Sequence, residues 1–151
     1  MSSVLIAATV LTGLAAGVFA LYSHTVMPGL AKVDDRTFVA AFQATDRAIV
    51  NPWFMTTFFG ALLLIGAAGI VAPTVPVWVA FALYLAVVAV TVAVHLPLND
   101  ALKAAGDPAG IDVAAARAAF REPRWRRWNH FRTAASLIAF VLLTVDLTTK
   151  T

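Results

Sequence analysis

Between Arg47 and Asp100 the chain carries no Asp, Glu, Lys or Arg, and its first charged residue is Lys32. Uncharged runs of this length set the element boundaries, because an α-helix needs about 20 apolar residues to cross a hydrocarbon core roughly 30 Å thick. The N-terminal run, from Val4 past Tyr22 to about residue 24, fits one crossing. The central run cannot be a single helix, since about 50 residues rising roughly 1.5 Å each would overshoot any bilayer. It folds back at APTVP, Ala72 to Pro76, where two prolines remove helix donors and push their predecessors out of helical geometry. This predicts crossings over about 53–72 and 77–96, with a fourth over about 128–147. The last is the least clean, because its strictly uncharged core, Thr133 to Val145, is too short to cross alone.

The predicted fold class is all-α: an integral membrane four-helix bundle forming a single domain over residues 1–151. Both longer loops are expected to hold short interfacial helices. Asp34 and Asp35 can cap one in which Phe38, Val39, Phe42 and Ile49 recur at helical spacing, and Asp112 can cap another running to Phe120. Small residues at Gly13, Gly17, Gly60, Gly66 and Gly69 allow close helix approach in lipid. An apolar N-terminal run followed by Val18, Phe19 and Ala20 is similar to a cleavable signal, but the start MSSVL lacks Lys and Arg and the run exceeds a usual signal core. A retained first helix is the expectation.

Composition agrees with a lipid solvent: 61% hydrophobic and 13% charged residues, against about 25% charged in ordinary soluble domains. The absence of cysteine removes disulfides, thiolate nucleophiles and cysteine-ligated metal centres. Eleven Lys plus Arg against eight acids is a balance also found in nucleic-acid binders, but the location of the charges gives a plainer account. The two large loops hold Lys32, Arg36, Arg47, Lys103, Arg117, Arg121, Arg124, Arg126 and Arg127, with Arg132 at their edge, while the opposite side has only Lys150. By the positive-inside tendency the protein lies in the cytoplasmic membrane with these loops cytoplasmic and both termini outside. The RWRR cluster then reads as a topological anchor on anionic lipid, with no nucleic-acid partner. Nothing in the pattern specifies an oligomeric state.

Four crossings bring four polar helix ends to that one side: SHTVMP (Ser23 to Pro28), NPW (Asn51 to Trp53), HLPLN (His95 to Asn99) and WRRWNHFR (Trp125 to Arg132). Every histidine of the chain is in this set. His95 and Asn99 share a face if the helix continues through Pro97, and Trp125, Asn129 and Arg132 follow i, i+4, i+7 spacing on another. Pro28 and Pro97 are expected to free the carbonyls of His24 and Ala93. Taken singly, each residue is an ordinary helix-end or interface residue; their convergence points to a pocket. There are no paired carboxylates, HExxH, Gly-rich phosphate loop or nucleophile elbow. The groups present suit proton abstraction by an imidazole, with amides and a guanidinium stabilising the oxyanion, and Arg and Trp faces suit a flat aromatic guest.

H-x-P-L-N ending one membrane helix, W-x-x-x-N-x-x-R entering the next, and VMPGL after the first together resemble the anthrone oxygenase-like family of small four-helix membrane proteins. The resemblance implies oxygenation of an anthrone-like hydrophobic aromatic with O2 and no added cofactor. On that footing His95 or His24 removes the benzylic proton, Arg132 with Asn99 and Asn129 holds the anion, and Trp125 walls the site. Asn51 joins them as a substrate-binding candidate from its helix end. His130, beside Asn129, points about 100° away and is weaker. Two alternatives stand beside this one. His24 and His95 on two helices at one depth could ligate haem, or copper with His130, and a non-catalytic scaffold or small-solute transporter needs no reactive group at all.

Overall fold

The fold comes from a computed structural model that describes residues 2–149, with the side chain of Ser2 set aside; Met1 and Lys150, and the expectations attached to them, lie outside the described residues. Eight α-helices are described: α1 (Ser2–Leu21), α2 (Met27–Leu30), α3 (Asp35–Ile49), α4 (Pro52–Val71), α5 (Val75–Val90), α6 (Leu96–Ala104), α7 (Val113–Phe120) and α8 (Glu122–Thr148). Two π-helical turns, Tyr22–Val26 and Thr91–His95, join α1 to α2 and α5 to α6 without a break. Four helical stretches are long and apolar enough to cross a membrane: Ser3–Leu30, Pro52–Val71, Val75–Ala104 and Val113–Thr148, the last containing the turn at Arg121. The chain is an all-helical integral membrane protein built on a four-helix bundle.

The crossing helices run further than their apolar patterns. Expected ends near residues 24 and 96 extend to Leu30 and Ala104, and the fourth helix begins at Glu122. The π turns explain the first two. The N–H of Met27 bonds to the carbonyl of Tyr22, and that of Leu96 to Thr91, each five residues back. Pro28 and Pro97 fall in the first helical turn after each π turn, where the missing N–H and fixed φ of proline are tolerated. One extra residue per turn thus carries the chain past a proline that would otherwise end the helix.

Around the bundle α1 packs on α4 and α8, and α5 packs on α8 and α4; the α4–α5 seam is the least closely packed of the four. The inner face of α8 repeats at helical spacing: Trp125, Asn129, Arg132, Ser136, Ala139 and Leu143 are all buried. Side chains such as Phe19, Phe58, Ile65, Tyr84 and Val87 fill the membrane core. There, dispersion and shape drive association, because lipid tails are as apolar as the helices. Gly13 shows the fit: a Cβ on it would stand 2.9 Å from the Phe140 ring. Gly17, its partner in the GxxxG spacing, meets nothing within 4 Å.

A second core of Met27, Phe38, Val39, Phe42, Leu102, Phe120 and Trp125 joins α3, α6 and α7 into a roof over one end. At this water edge the hydrophobic effect acts, on the order of 1.5–3 kcal/mol for each large side chain fully buried. Asp34 starts α3 by accepting from the Thr37 N–H at 3.0 Å, and Asp112 starts α7 by accepting from Ala115 at 3.0 Å. Gln43 donates to the carbonyls of Leu102 (2.8 Å) and Gly106 (3.0 Å), tying α3 to the end of α6. Between α7 and α8 the chain turns at Arg121, which has φ 55° and ψ 54°. That left-handed residue interrupts the hydrogen-bond ladder and redirects the fourth crossing.

Candidate ligand cavity under the roof

A cavity of about 290 Å³ lies where the bundle meets its roof. Four of the seven residues expected at a site line it: His95, Asn99, Trp125 and Arg132. The helix does continue through Pro97, so His95 and Asn99 share a face as their spacing requires. The T-shaped packing of the His95 ring on Trp125, with centroids 4.9 Å apart, links the third and fourth helices.

Several of the polar groups are held by named partners. Asn99 donates from Nδ2 to Asp46 Oδ1 at 2.6 Å and accepts from Trp125 Nε1 at 2.9 Å, so its amide orientation is determined. Arg132 donates to Asn129 Oδ1 at 2.7 Å and to Thr91 Oγ1 at 3.1 Å. Its guanidinium carbon stands 4.6 Å above the Phe19 ring and 5.6 Å from Trp125. The Thr91 hydroxyl donates a hydrogen bond to the Val87 carbonyl at 2.8 Å, which leaves its lone pairs toward Arg132. Asp46 also forms an ion pair with Lys103 at 2.8 Å, and Lys103 pairs with Asp100 at 3.0 Å.

Two groups stand out by what they lack. Arg132 is only 7% exposed, makes no ion pair with a carboxylate among the described residues, and leaves Nε unpartnered. His95, 1% exposed, has neither ring nitrogen in a hydrogen bond of good geometry, although the backbones of Val90 and Trp125 come near. A buried charge normally has a counter-ion and a buried imidazole normally has a partner. Both groups face the same cavity, whose other walls include the rings of Phe19, Tyr22, Phe42, Phe54 and Phe58. The lining therefore combines aromatic walls, one cation without a carboxylate partner, the ion pair of Lys103 with Asp46, and one unengaged proton acceptor.

The remaining three expected residues stand elsewhere. His24 is exposed, bonds through Nδ1 to Thr25 Oγ1 at 2.6 Å, and is not part of the lining. The two histidines suggested as a ligand pair thus do not face one cavity, and His130 is exposed as well. No cluster of three or more His, Cys, Asp or Glu with metal-holding geometry occurs among the described residues. Asn51 caps α4: it accepts from Phe54 N–H at 3.0 Å and donates to the Ala48 carbonyl at 2.8 Å. Its side chain is used by the orphan donors of the helix start, so the second crossing contributes aromatic walls and no polar group. Asn129 lies one layer behind the cavity, where it donates to Phe19 O (3.0 Å) and Ser23 Oγ (2.8 Å) while holding Arg132. It is a support for the guanidinium and does not touch the cavity.

Sequence reasoning missed Asp46, Thr91, Tyr22 and Lys103, all of which line the cavity. Asp46 was within reach: it follows Val39 by seven and Phe42 by four, so it sits on the apolar face of an amphipathic helix, where an acid is out of place.

Comparison with known proteins decides the lineage. The family model described as anthrone oxygenase matches residues 38–142. The chain belongs to the anthrone oxygenase family. The matched span takes in α4 to α7, most of α3 and most of α8, and thus His95, Asn99, Trp125 and Arg132. It leaves out α1 and the VMPGL segment, so the first-helix similarity stands outside the family match. No curated protein and no solved structure matches the chain.

Proposed function

We propose that this anthrone oxygenase family member binds a flat, weakly acidic hydrophobic aromatic of the anthrone type and oxygenates it with O2 at a carbon activated by proton loss. The observation that carries this reading is the buried Arg132 without a carboxylate partner, facing the same cavity as the unengaged His95 ring. An anion forming in the cavity would meet a charge whose desolvation is already met by the fold, the arrangement that stabilises developing oxyanions best.

The steps balance. A ring nitrogen of His95 takes a proton from the methylene carbon, and the electron pair delocalises onto the ring carbonyl oxygen, where Arg132 stabilises it. The carbanion gives electrons to O2, a C–O bond forms, and the imidazolium returns its proton to the peroxide. Loss of the second methylene proton then breaks the O–O bond, releasing water and leaving a new ketone. Carbon is oxidised, O2 is reduced, and no electron is left over.

The test is turnover of emodin anthrone by detergent-purified protein, followed by O2 uptake and quinone absorbance. His95→Gln is expected to lower the rate at least ~100-fold, within the usual share of a general base, while the protein still binds the anthrone anaerobically. Unchanged turnover in His95→Gln removes the mechanism. The same reading puts the roofed, arginine-rich end in the cytoplasm; a single cysteine introduced at Arg124 should react with a charged maleimide only after intact cells are opened.

A further inference from the structure

The cavity has two sides from which a guest could arrive, and they differ in chemistry. Toward water lies the roof, where Phe38, Phe42, Leu102, Phe120 and Trp125 are packed together and buried. The rings of Phe42 and Phe120 are 4.5 Å apart and Phe42 meets Trp125 edge-on at 5.8 Å. A route through that core would separate it; beside it, where α3 runs toward α4, the lining residues Thr45 and Val50 are exposed, so the water side has an edge route to be tested against the lipid one.

Toward lipid the situation is reversed. Close approach between α4 and the third crossing is concentrated on α5, above the first π-turn residue Thr91. Below it, cavity-lining residues reach the outer surface of the bundle: Phe59 on α4 is 46% exposed, Val92 in the π turn 56%, and Leu96 on α6 44%. Residues that border both a cavity and the outside mark an opening. All three are apolar and belong to membrane-crossing stretches. No charged side chain lines this stretch until Asp46 and Lys103, paired at 2.8 Å where α3 faces α6.

We infer that the cavity is loaded sideways from the bilayer, through a slot between α4 and the π turn of the third crossing, by a small planar apolar molecule dissolved in the lipid. Phe59, Val92 and Leu96 are its lips. The π turn has a part in this: its extra residue turns His95 inward while Val92 and Leu96 remain on the lipid side. Such a guest arrives at its bilayer concentration, far above its concentration in water, and meets Arg132 and His95 without crossing the roof. The route rests on the cavity; only the identity of its natural guest rests on the oxygenase reading.

The absence of native cysteine makes a clean test available. Thr91→Cys places one thiol on the cavity wall of protein held in lipid nanodiscs. It is treated with N-phenylmaleimide, which partitions into lipid, or with a sulfonated maleimide, which does not. The lipid-soluble reagent should label at least ten times faster. Adding Val92→Trp or Leu96→Trp should slow that labelling at least tenfold, whereas Leu137→Trp, an exposed position on α8 outside the lining, should leave it unchanged. Equal labelling by the sulfonated reagent overturns the inference. So does slowing by Thr45→Trp, at the roof edge, with the lip variants unaffected. Melting curves on each variant separate blockage from unfolding, since a misfolded lip variant labels faster with both reagents. No anthrone is used, so failure of the oxygenase reading would leave this result standing, and failure here would leave turnover untouched.

Discussion

Replacing Arg132 by Met should have opposite effects on binding and on folding. In the parent, the guanidinium is buried between the Phe19 and Trp125 rings and donates to Asn129 and Thr91. A ligand oxyanion about 4 Å away would gain on the order of 4 kcal/mol at an effective dielectric near 20. If the ligand's own desolvation returns half of this, Arg132→Met loses ~2 kcal/mol, or roughly 30-fold in Kd. Stability is a separate sum. The variant leaves Asn129 Oδ1 without its donor, a cost of about 1–3 kcal/mol, but Asn129 keeps Phe19 O and Ser23. Against this, removing an uncompensated buried charge recovers several kcal/mol of desolvation, and Met occupies similar volume. The expected melting temperature is equal to or above that of the parent. Anaerobic titration with emodin anthrone gives Kd without turnover, and thermal unfolding in the same detergent gives stability. A variant that binds as well as the parent refutes the anion site. One that unfolds many degrees lower shows that Arg132 holds the bundle together instead.

Asp46→Ala should weaken anthrone binding about 3- to 10-fold by freeing the Asn99 amide, within the roughly 0.5–1.5 kcal/mol of an ordinary hydrogen bond. Asp46→Asn, which still accepts from Asn99, should restore most of it; equal loss in both would show that charge rather than amide orientation matters. Gly13→Val should lower stability by ~1–3 kcal/mol because its side chain would enter the Phe140 ring. Gly17→Val should be near neutral by the same thermal assay. The Thr37 hydroxyl and N–H hold the Asp34 carboxyl below its ordinary 3.8, so its contribution is fully present above that value and lost as pH falls through the lowered one. The melting difference between parent and Asp34→Ala should therefore narrow only in that acid window, and a difference that vanishes already at pH 5 would contradict the cap.

Much of the architecture could be read in one dimension. Runs of uncharged residues long enough for a bilayer, prolines at Ala72 to Pro76, and carboxylates at Asp34 and Asp112 carry local physics that neighbours do not overrule. The i, i+4, i+7 spacing of Trp125, Asn129 and Arg132 likewise states that they share a face of α8. Spacing does not state which way that face looks. His24 and His95 each precede a proline helix end by a few residues, at similar depth, yet one ring is outside and the other inside. The rotation of each crossing about its axis is set by packing against three neighbours and by the π turns, each of which adds a residue worth about 100° of rotation. Asn51 is expected at the pocket from its helix end and Asn129 from the face it shares with Arg132, but the fold places one in a helix cap and the other in the layer behind Arg132. The counterpart is Asp46, which comes from a loop helix and reaches the cavity only because the second core folds α3 over the bundle end. Hydrophobic length is a property of the chain and survives in any fold; facing is a property of pairs of helices and exists only once they meet.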